Sequence, residues 1–320
     1  VISVFLVFPV SSEPIFFNNH NIHGEDSTFK DFIKWQLSGN KPDRFSIEMS
    51  DEFNLLLKKP KTPYAVWVGH SNFLINNNDI NILTDPIFSK RASPISFAGP
   101  KRLIPPGINF NLLPDIDVVT VSHAHYDHMD IPTLKRLYEI NENTLFLVPM
   151  NSAKLLLSAG IKNVVEMNWW DTISLSDTLI TFVPVHHWSS RTPFDKNETL
   201  WGGWWFEHSS LKLVHLGDTG YTYDFLTINK ELGSPDFAFI PIGAYEPRSI
   251  MKDSHLNPDE AIQTALDLNA THAIGMHWGT FMLTDEPVQE PPALVKNRLK
   301  ELDLEGLFTI PIPGKIISLE

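Results

Sequence analysis

The stretch DIDVVTVSHAHYDHMD constrains this chain more than any other: a buried, strand-like run ends abruptly in His123, His125, Asp127 and His128. Three imidazoles and a carboxylate within six positions are costly to hold together unless something binds them, because each buried polar group must replace the water it loses. The pattern recurs along the chain. ITFVPVHHW (180–188) closes on His186 and His187, LKLVHLGDTG (211–220) on Asp218, and THAIGMHWGTF (271–281) on His277. Each reads as a strand. Four strand ends therefore carry candidate ligands, and loops at strand ends are where a rigid scaffold presents its chemistry.

Other segments fit the same frame. YAVWVGHSNFLI predicts two strands turning at Gly69–His70. INILTDP, TLFLVP, NVVEM and DFAFIPIG predict further strands, and IPTLKRLYEI and NSAKLLLSAG predict helices. NPDEAIQTALDLNA predicts a helix with Asn257 as N-cap and Pro258 in its first position. The Pro- and Gly-rich stretch from Ile87 to Gly107 is a long loop of the kind that often carries function. Strands alternating with helices imply an α/β sandwich.

Composition decides what the ligands hold. The chain has no cysteine, so disulfides and thiolate-bound metals are excluded and any metal rests on His, Asp or Glu. Imidazole plus carboxylate suits zinc, with iron or manganese as alternatives. In an HxHxDH turn the first two histidines point to one side, and the aspartate and third histidine to a neighbouring position. Two metals roughly 3.5–4 Å apart are naturally joined by one carboxylate. Asp218, in GDTG, is the evident bridge, with a histidine of the His186–His187 pair completing one site and His277 the other. Strand alternation alone does not choose between His186 and His187. A net charge of −13 gives no basic excess and argues against nucleic acid as a partner. With 320 residues, 42% of them hydrophobic, the chain can bury a substantial core.

Residues 1–62 read as an N-terminal extension. VISVFLVF is too short to span a bilayer, and is read either as a signal or anchor remnant at 1–12 or as a strand or interfacial segment. Phe29, Phe32, Ile33 and Leu37 recur at helical spacing and predict a short amphipathic helix.

HAHYDH, a later His, GDTG and a final His, in that order, resemble the metallo-β-lactamase superfamily. GHSNFLI, LTDPIFSKRASP, HHWSSR, LWGGW, IPIGAYEPR, HLNPDEA and MHWGTF narrow the resemblance to the N-acylphosphatidylethanolamine-hydrolysing phospholipase D family. The resemblance implies an αββα sandwich over 63–320 with two zinc ions, one on His123, His125 and His187, the other on Asp127, His128 and His277, bridged by Asp218. His187 is preferred over His186 because the family pattern is His followed by Trp. It also implies catalytic roles for Asp127, Asp218 and His255, and substrate contacts from His255 and Tyr126. The implied reaction cleaves N-acylphosphatidylethanolamine to an N-acylethanolamine and phosphatidic acid. A lactonase or soluble phosphodiesterase on the same centre is the alternative.

A phospholipid substrate implies a chain peripheral to a membrane, with the compartment left open between cytoplasm and periplasm. A homodimer is implied by resemblance alone. Phe16, Phe17 and the apolar N-terminal run are candidates to meet lipid, with Lys90, Arg91, Lys101 and Arg102 as a basic face. Asp85 is expected to accept from a ligand histidine, or simply to stop its strand. Arg191 and Arg248 are read as ion-pair partners more readily than as phosphate contacts, and the tryptophans at 169, 170, 201, 204 and 205 as core and rim. Ser254 departs from the family pattern before His255.

Overall fold

Two seven-stranded sheets face one another. In the computed structural model, residues 16–20, 46–56, 60–209 and 211–320 are described; the apolar run at 1–12 and the helix expected around Phe29–Leu37 lie outside them. The strands are β1 (Tyr64–Gly69), β2 (Asn72–Asn76), β3 (Asn81–Thr84), β4 (Val118–Thr120), β5 (Leu145–Pro149), β6 (Val164–Met167) and β7 (Thr172–Leu175). They continue as β8 (Thr178–Val183), β9 (Gly203–His208), β10 (Leu211–His215), β11 (Phe237–Pro241), β12 (His272–Met276), β13 (Phe308–Thr309) and β14 (Ile316–Ser318).

The first sheet has the order β14-β1-β2-β3-β4-β5-β6 and the second β13-β12-β11-β10-β9-β8-β7. Each is half antiparallel and half parallel. From β14 to β3 and from β7 to β10 neighbours run antiparallel, whereas β3 to β6 and β10 to β13 run parallel. The last strand returns to the first sheet, pairing Tyr64 with Ser318.

The two-residue period of a strand explains why the runs are apolar throughout. In β1, Ala65 and Trp67 face the space between the sheets, with Phe73, Phe182, Trp204 and Phe239. Val66 and Val68 face the other way, in a cluster with Leu134 and Leu137 of the helix Ile131–Ile140 and Leu156 of the helix Ala153–Ser158. The second sheet is covered by the helices Asp224–Leu232, Pro258–Asp267 and Glu290–Glu301, whose Phe225, Ile262 and Leu299 join the central core. The architecture is the αββα sandwich. Burying a large apolar side chain contributes about 1.5–3 kcal/mol, and the largest fully buried ones include Trp67, Trp201, Trp204 and Trp205. Trp169 and Trp170 are half-buried against the same core. Asn257 accepts from Glu260 N while Glu260 accepts from Asn257 N, a capping box at the expected helix start.

Four strands escaped the sequence reading. GWWFEH (β9) shows no clean alternation because both of its faces and both of its edges are covered. β7, β13 and β14 are four residues or fewer. ITFVPVHHW is strand only through Val183, and His186 instead makes an isolated bridge to Gly220.

Candidate metal centre

The connections that leave β4, β8, β10 and β12 bring the seven expected ligands to one edge of the sandwich, where His70 of the β1–β2 turn and His255 join them. They form overlapping groups whose donor atoms lie within 4.8 Å of one another: His123, His125 and His187; His123, His128 and Asp218; Asp218, His255 and His277; and His70, Asp127, His128 and His277. His186 belongs to no such group among the described residues.

The first group presents His123 Nε2, His125 Nδ1 and His187 Nε2. His125 Nδ1 lies 2.8 Å from His123 Nε2 and 3.4 Å from His187 Nε2. Their far sides settle two of the tautomers. His187 Nδ1 donates to the carbonyl of Ser254 at 2.9 Å. Ser122 Oγ donates to Asp85 Oδ2, so it accepts from His123 Nδ1 at 2.9 Å. Both rings therefore turn an Nε2 lone pair toward a common point, an arrangement that outer partners impose on metal-binding histidines. The departure at Ser254 has no consequence here, because its carbonyl makes the contact.

The second group is built on Asp85. This fully buried carboxylate accepts from Ser122 N, Ser122 Oγ and His128 Nδ1, each at 2.7 Å. It therefore serves as more than a strand stop, and it turns His128 Nε2 inward. His128 Nε2 lies 3.1 Å from Asp218 Oδ2 and 3.4 Å from Asp127 Oδ2; His277 Nε2 lies 3.0 Å from Asp218 Oδ1 and 3.6 Å from Asp127 Oδ2. Asp218 Oδ2 is also 3.9 Å from His123 Nε2 and 3.8 Å from His187 Nε2, so its two oxygens span both groups. Gly217, at φ 62, makes this possible: a Cβ there would meet Ser122 Cβ at 2.5 Å.

The donor set fits metal ions. His128 Nε2, His277 Nε2 and Asp218 Oδ1 are buried and engage in no hydrogen bond, although they lie about hydrogen-bond distance from oppositely charged partners. Donors aimed at a shared point rather than at each other are arranged for a cation. The electrostatics agree. Burial, reinforced by neighbouring imidazoles, keeps His123 and His187 well below the ordinary imidazole range and brings His125 to about 4, so all three are neutral ligands at pH 7. Burial alone would also lower His128 and His277. The carboxylates of Asp218 and Asp127 outweigh it, raising His128 well above its usual range and His277 to about 9. Burial would raise Asp127 and Asp218, but His128 foremost holds both well below the usual carboxylate range.

The remaining expected residues have varied positions. His255 Nδ1 faces the centre 4.0 Å from Asp218 Oδ2, and its ring stacks on His277. Tyr126 turns to Arg191: its hydroxyl donates to Arg191 O at 3.0 Å, and the guanidinium lies 4.0 Å over its ring. Arg191 Nη1 donates to Ala124 O and Met129 O, clamping the HAHYDH turn from both ends. Arg248 is paired with Glu260 through both carboxylate oxygens and donates to His255 O. Arg102 does not join an exposed basic face: Nη2 and Nε donate inward to Ile87 O and Ser89 O, and the guanidinium sits 5.0 Å from the Phe281 ring. Burial lowers it to about 10.

Two contributors were missed. His70, on the β1–β2 turn, places Nε2 2.8 Å from Asp127 Oδ2. Asn19 Oδ1 accepts from His187 N and Trp201 Nε1, tying residues 16–20 to the first ligand group. GHS directly after an apolar strand was a visible signal for His70; nothing in NNHN distinguished Asn19.

Fold and site together define a metal-dependent hydrolase. A model of the beta-lactamase superfamily domain matches residues 80–278, and the chain belongs to that superfamily. It is 39% identical over 250 residues to N-acyl-phosphatidylethanolamine-hydrolyzing phospholipase D 1 of Caenorhabditis elegans, covering 75% of this chain and 69% of the relative. A UPF0173 metal-dependent hydrolase of Methanopyrus kandleri is 29% identical, covering 78% of this chain and 96% of the other. The solved structure of Igni18, a metallo hydrolase of Ignicoccus hospitalis, aligns with a TM-score of 0.61 at 20% identity, over 81% of this chain and 98% of that one.

Proposed function

We propose that the chain is a dinuclear zinc phosphodiesterase of the phospholipase D type, which hydrolyses N-acylphosphatidylethanolamine to an N-acylethanolamine and phosphatidic acid. The observation that carries the reading is Asp218, whose two oxygens reach both ligand groups. The 39% identical relative named for that reaction supplies the substrate class. His123, His125 and His187 would hold one ion; Asp127, His128 and His277 would hold the other. Two bound zinc ions supply a water acidic enough to ionise near pH 7 and offset charge on the phosphoryl oxygens.

The chain's own groups do the rest. Asp127 and Asp218, held ionised, are acceptors rather than acids. In the hydrolysis a water oxygen bonds to phosphorus, the bond from phosphorus to the ethanolamide oxygen breaks, and that oxygen takes up a proton. His255 is the group placed for the last step. Burial lowers it to about 4, so it is neutral at pH 7, and its buried Nδ1 has no hydrogen-bond partner. It orients the substrate and, neutral at rest, first takes a proton from the attacking water and then passes it to the departing oxygen. Tyr126, engaged with Arg191, borders the substrate at most through its ring edge.

Access to lipid is proposed through two loops beside the centre. Phe97 and Phe194 are 81% and 89% exposed. One loop also carries Lys90, Arg91 and Lys101, which offset the net charge of −13 toward anionic headgroups. No helix among the described residues is long and apolar enough to cross a membrane.

The test is product analysis of purified, metal-analysed protein on N-acylphosphatidylethanolamine vesicles. Release of N-acylethanolamine with phosphatidic acid is expected, and a fully metal-loaded protein that releases neither refutes the assignment. The likeness to a UPF0173 metal-dependent hydrolase supports a second reading, a metal-dependent hydrolase of a different substrate. A parallel panel of lactones and soluble diesters separates the two.

A further inference from the structure

We infer that His70 is a positioning residue of the metal centre: its Nε2–H holds the Asp127 carboxylate in place as a ligand of the second ion. The inference rests on the dinuclear reading and adds to it a residue outside the seven-ligand set.

Three observations carry it. The first is contact. His70 Nε2 lies 2.8 Å from Asp127 Oδ2, the same oxygen that faces His128 Nε2 at 3.4 Å and His277 Nε2 at 3.6 Å. An ionised carboxylate only accepts, so the proton is on His70 Nε2. That nitrogen is thus a donor and not a free lone pair.

The second is backbone conformation. His70 has φ 59, in the left-handed region. The turn follows Gly69, and a position of this kind is sterically suited to glycine or asparagine. A histidine placed there is retained at a conformational cost, and the ring's contact with Asp127 gives the reason.

The third is anchoring. His70 N donates to Thr280 Oγ1 at 2.7 Å, and Trp67 Nε1 donates to His70 O at 2.7 Å. The same carbonyl accepts from the backbone N–H of His277 at 3.2 Å, and the His70 and His277 rings lie 3.9 Å apart. One residue thus touches all three expected ligands of that group: Asp127 through its side chain, His277 through its ring and backbone, and His128 through its ring, at 5.1 Å between centroids. The first group, His123, His125 and His187, makes no contact with it. A loss at His70 is therefore expected to fall on one ion only.

The experiment compares His70→Asn with His70→Gln. Asparagine tolerates the left-handed backbone but is too short to reach Asp127; glutamine places an amide N–H near the position of Nε2. Metal-free protein is titrated with Co²⁺, following its visible absorption, and with Zn²⁺ against a competing chelator. Melting temperatures of the metal-free variants report folding separately. For H70N we expect the second ion to bind roughly 10–100-fold more weakly, the range typical of lost outer-shell partners, with first-ion affinity unchanged and an altered Co²⁺ spectrum for the second equivalent. H70Q should recover most of that loss. Wild-type second-ion affinity in H70N, or equal weakening in folded H70N and H70Q, overturns the inference. A wild-type protein that takes up fewer than two ions overturns the dinuclear reading and the inference with it, a result distinguishable from failure of the His70 variants alone.

Discussion

Replacing Asp85 by asparagine should weaken one metal site while leaving the metal-free fold nearly intact. Asp85 accepts three hydrogen bonds, from Ser122 N on Oδ1 and from Ser122 Oγ and His128 Nδ1 on Oδ2. Asparagine keeps its carbonyl on Ser122 N and turns its amide toward the other two. Ser122 Oγ can accept instead of donate. His128 can also satisfy the amide, but only by giving up its Nδ1 proton and keeping one on Nε2, the atom that faces Asp218 at 3.1 Å and Asp127 at 3.4 Å. In the metal-free protein those carboxylates accept from the Nε2–H, so few groups are left unpaired. A metal must expel it. Loss of such an outer partner typically weakens binding about 10–100-fold, which is roughly 1.4–2.8 kcal/mol. Asp85→Ala is the contrast: it strands up to three buried donors, each costing about 1–3 kcal/mol, and should lower the metal-free melting temperature as well. Chelator-competition titration of the two ions and calorimetry of the metal-free proteins measure both. An Asp85→Asn protein that binds two ions with wild-type affinity would show that Asp85 does not set the His128 tautomer.

Other perturbations test the surroundings. Phe97→Ser with Phe194→Ser should reduce partitioning to anionic vesicles by tenfold or more, since burying one phenylalanine contributes about 1.5–3 kcal/mol; hydrolysis of a soluble diester should not change, and unaltered vesicle binding would remove these loops from the lipid face. Arg191→Ala removes the donors to Ala124 O and Met129 O at the two ends of the metal turn, and should cost about 2–3 kcal/mol in unfolding free energy, measured by urea titration. Asn19→Ala leaves His187 N without its acceptor and removes one from Trp201 Nε1. A loss of about 1–2 kcal/mol is expected, together with weaker binding of the first ion; an unchanged protein would make residues 16–20 incidental to the centre.

Strand ends were legible because burial on both faces writes an apolar run, and chemistry at its end writes an abrupt polar stop. Val118–Thr120 before His123 and His272–Met276 before His277 follow this rule. Positions beyond a strand end were harder. His186 and His187 sit past the end of β8, where alternation no longer applies, and family resemblance rather than period separated them. Arg102 illustrates the converse failure. Counting it with Lys90, Arg91 and Lys101 treats charge as exposure, whereas its guanidinium turns inward onto the carbonyls of Ile87 and Ser89. A single guanidinium has enough donors to satisfy two carbonyls without an anion, and no local pattern in GPKR records which way it points. Asn19 depends on contacts more than 160 positions away in sequence, which no window on the chain captures.

Removal of metal should lower stability without unfolding the chain. His70, Asp85 and His277 have φ of 59, 38 and 60, all left-handed and none glycine. At roughly 1–2 kcal/mol each, the three together cost about 3–6 kcal/mol, a sizeable part of the 5–15 kcal/mol by which domains are usually stable. Bonds that need no metal hold them: Asp85 N to Thr120 O, His70 N to Thr280 Oγ1 and His277 N to His70 O. The cores on both faces of the first sheet are likewise independent of the ions. The metal-free protein should therefore keep a cooperative transition. If each of two ions is present at a hundred times its dissociation constant, binding adds about 2.7 kcal/mol per ion, or about 5 kcal/mol in all. For a chain of this size each kcal/mol shifts the melting temperature by about 2–4 °C, so exhaustive chelation should lower it by about 10–20 °C, reversibly on adding zinc. Differential scanning calorimetry with and without chelator makes the measurement. A chelated protein with no cooperative transition would mean that the ions build the sandwich edge instead of occupying one built beforehand; an unchanged melting temperature would mean that the converging donors do not bind metal tightly at all.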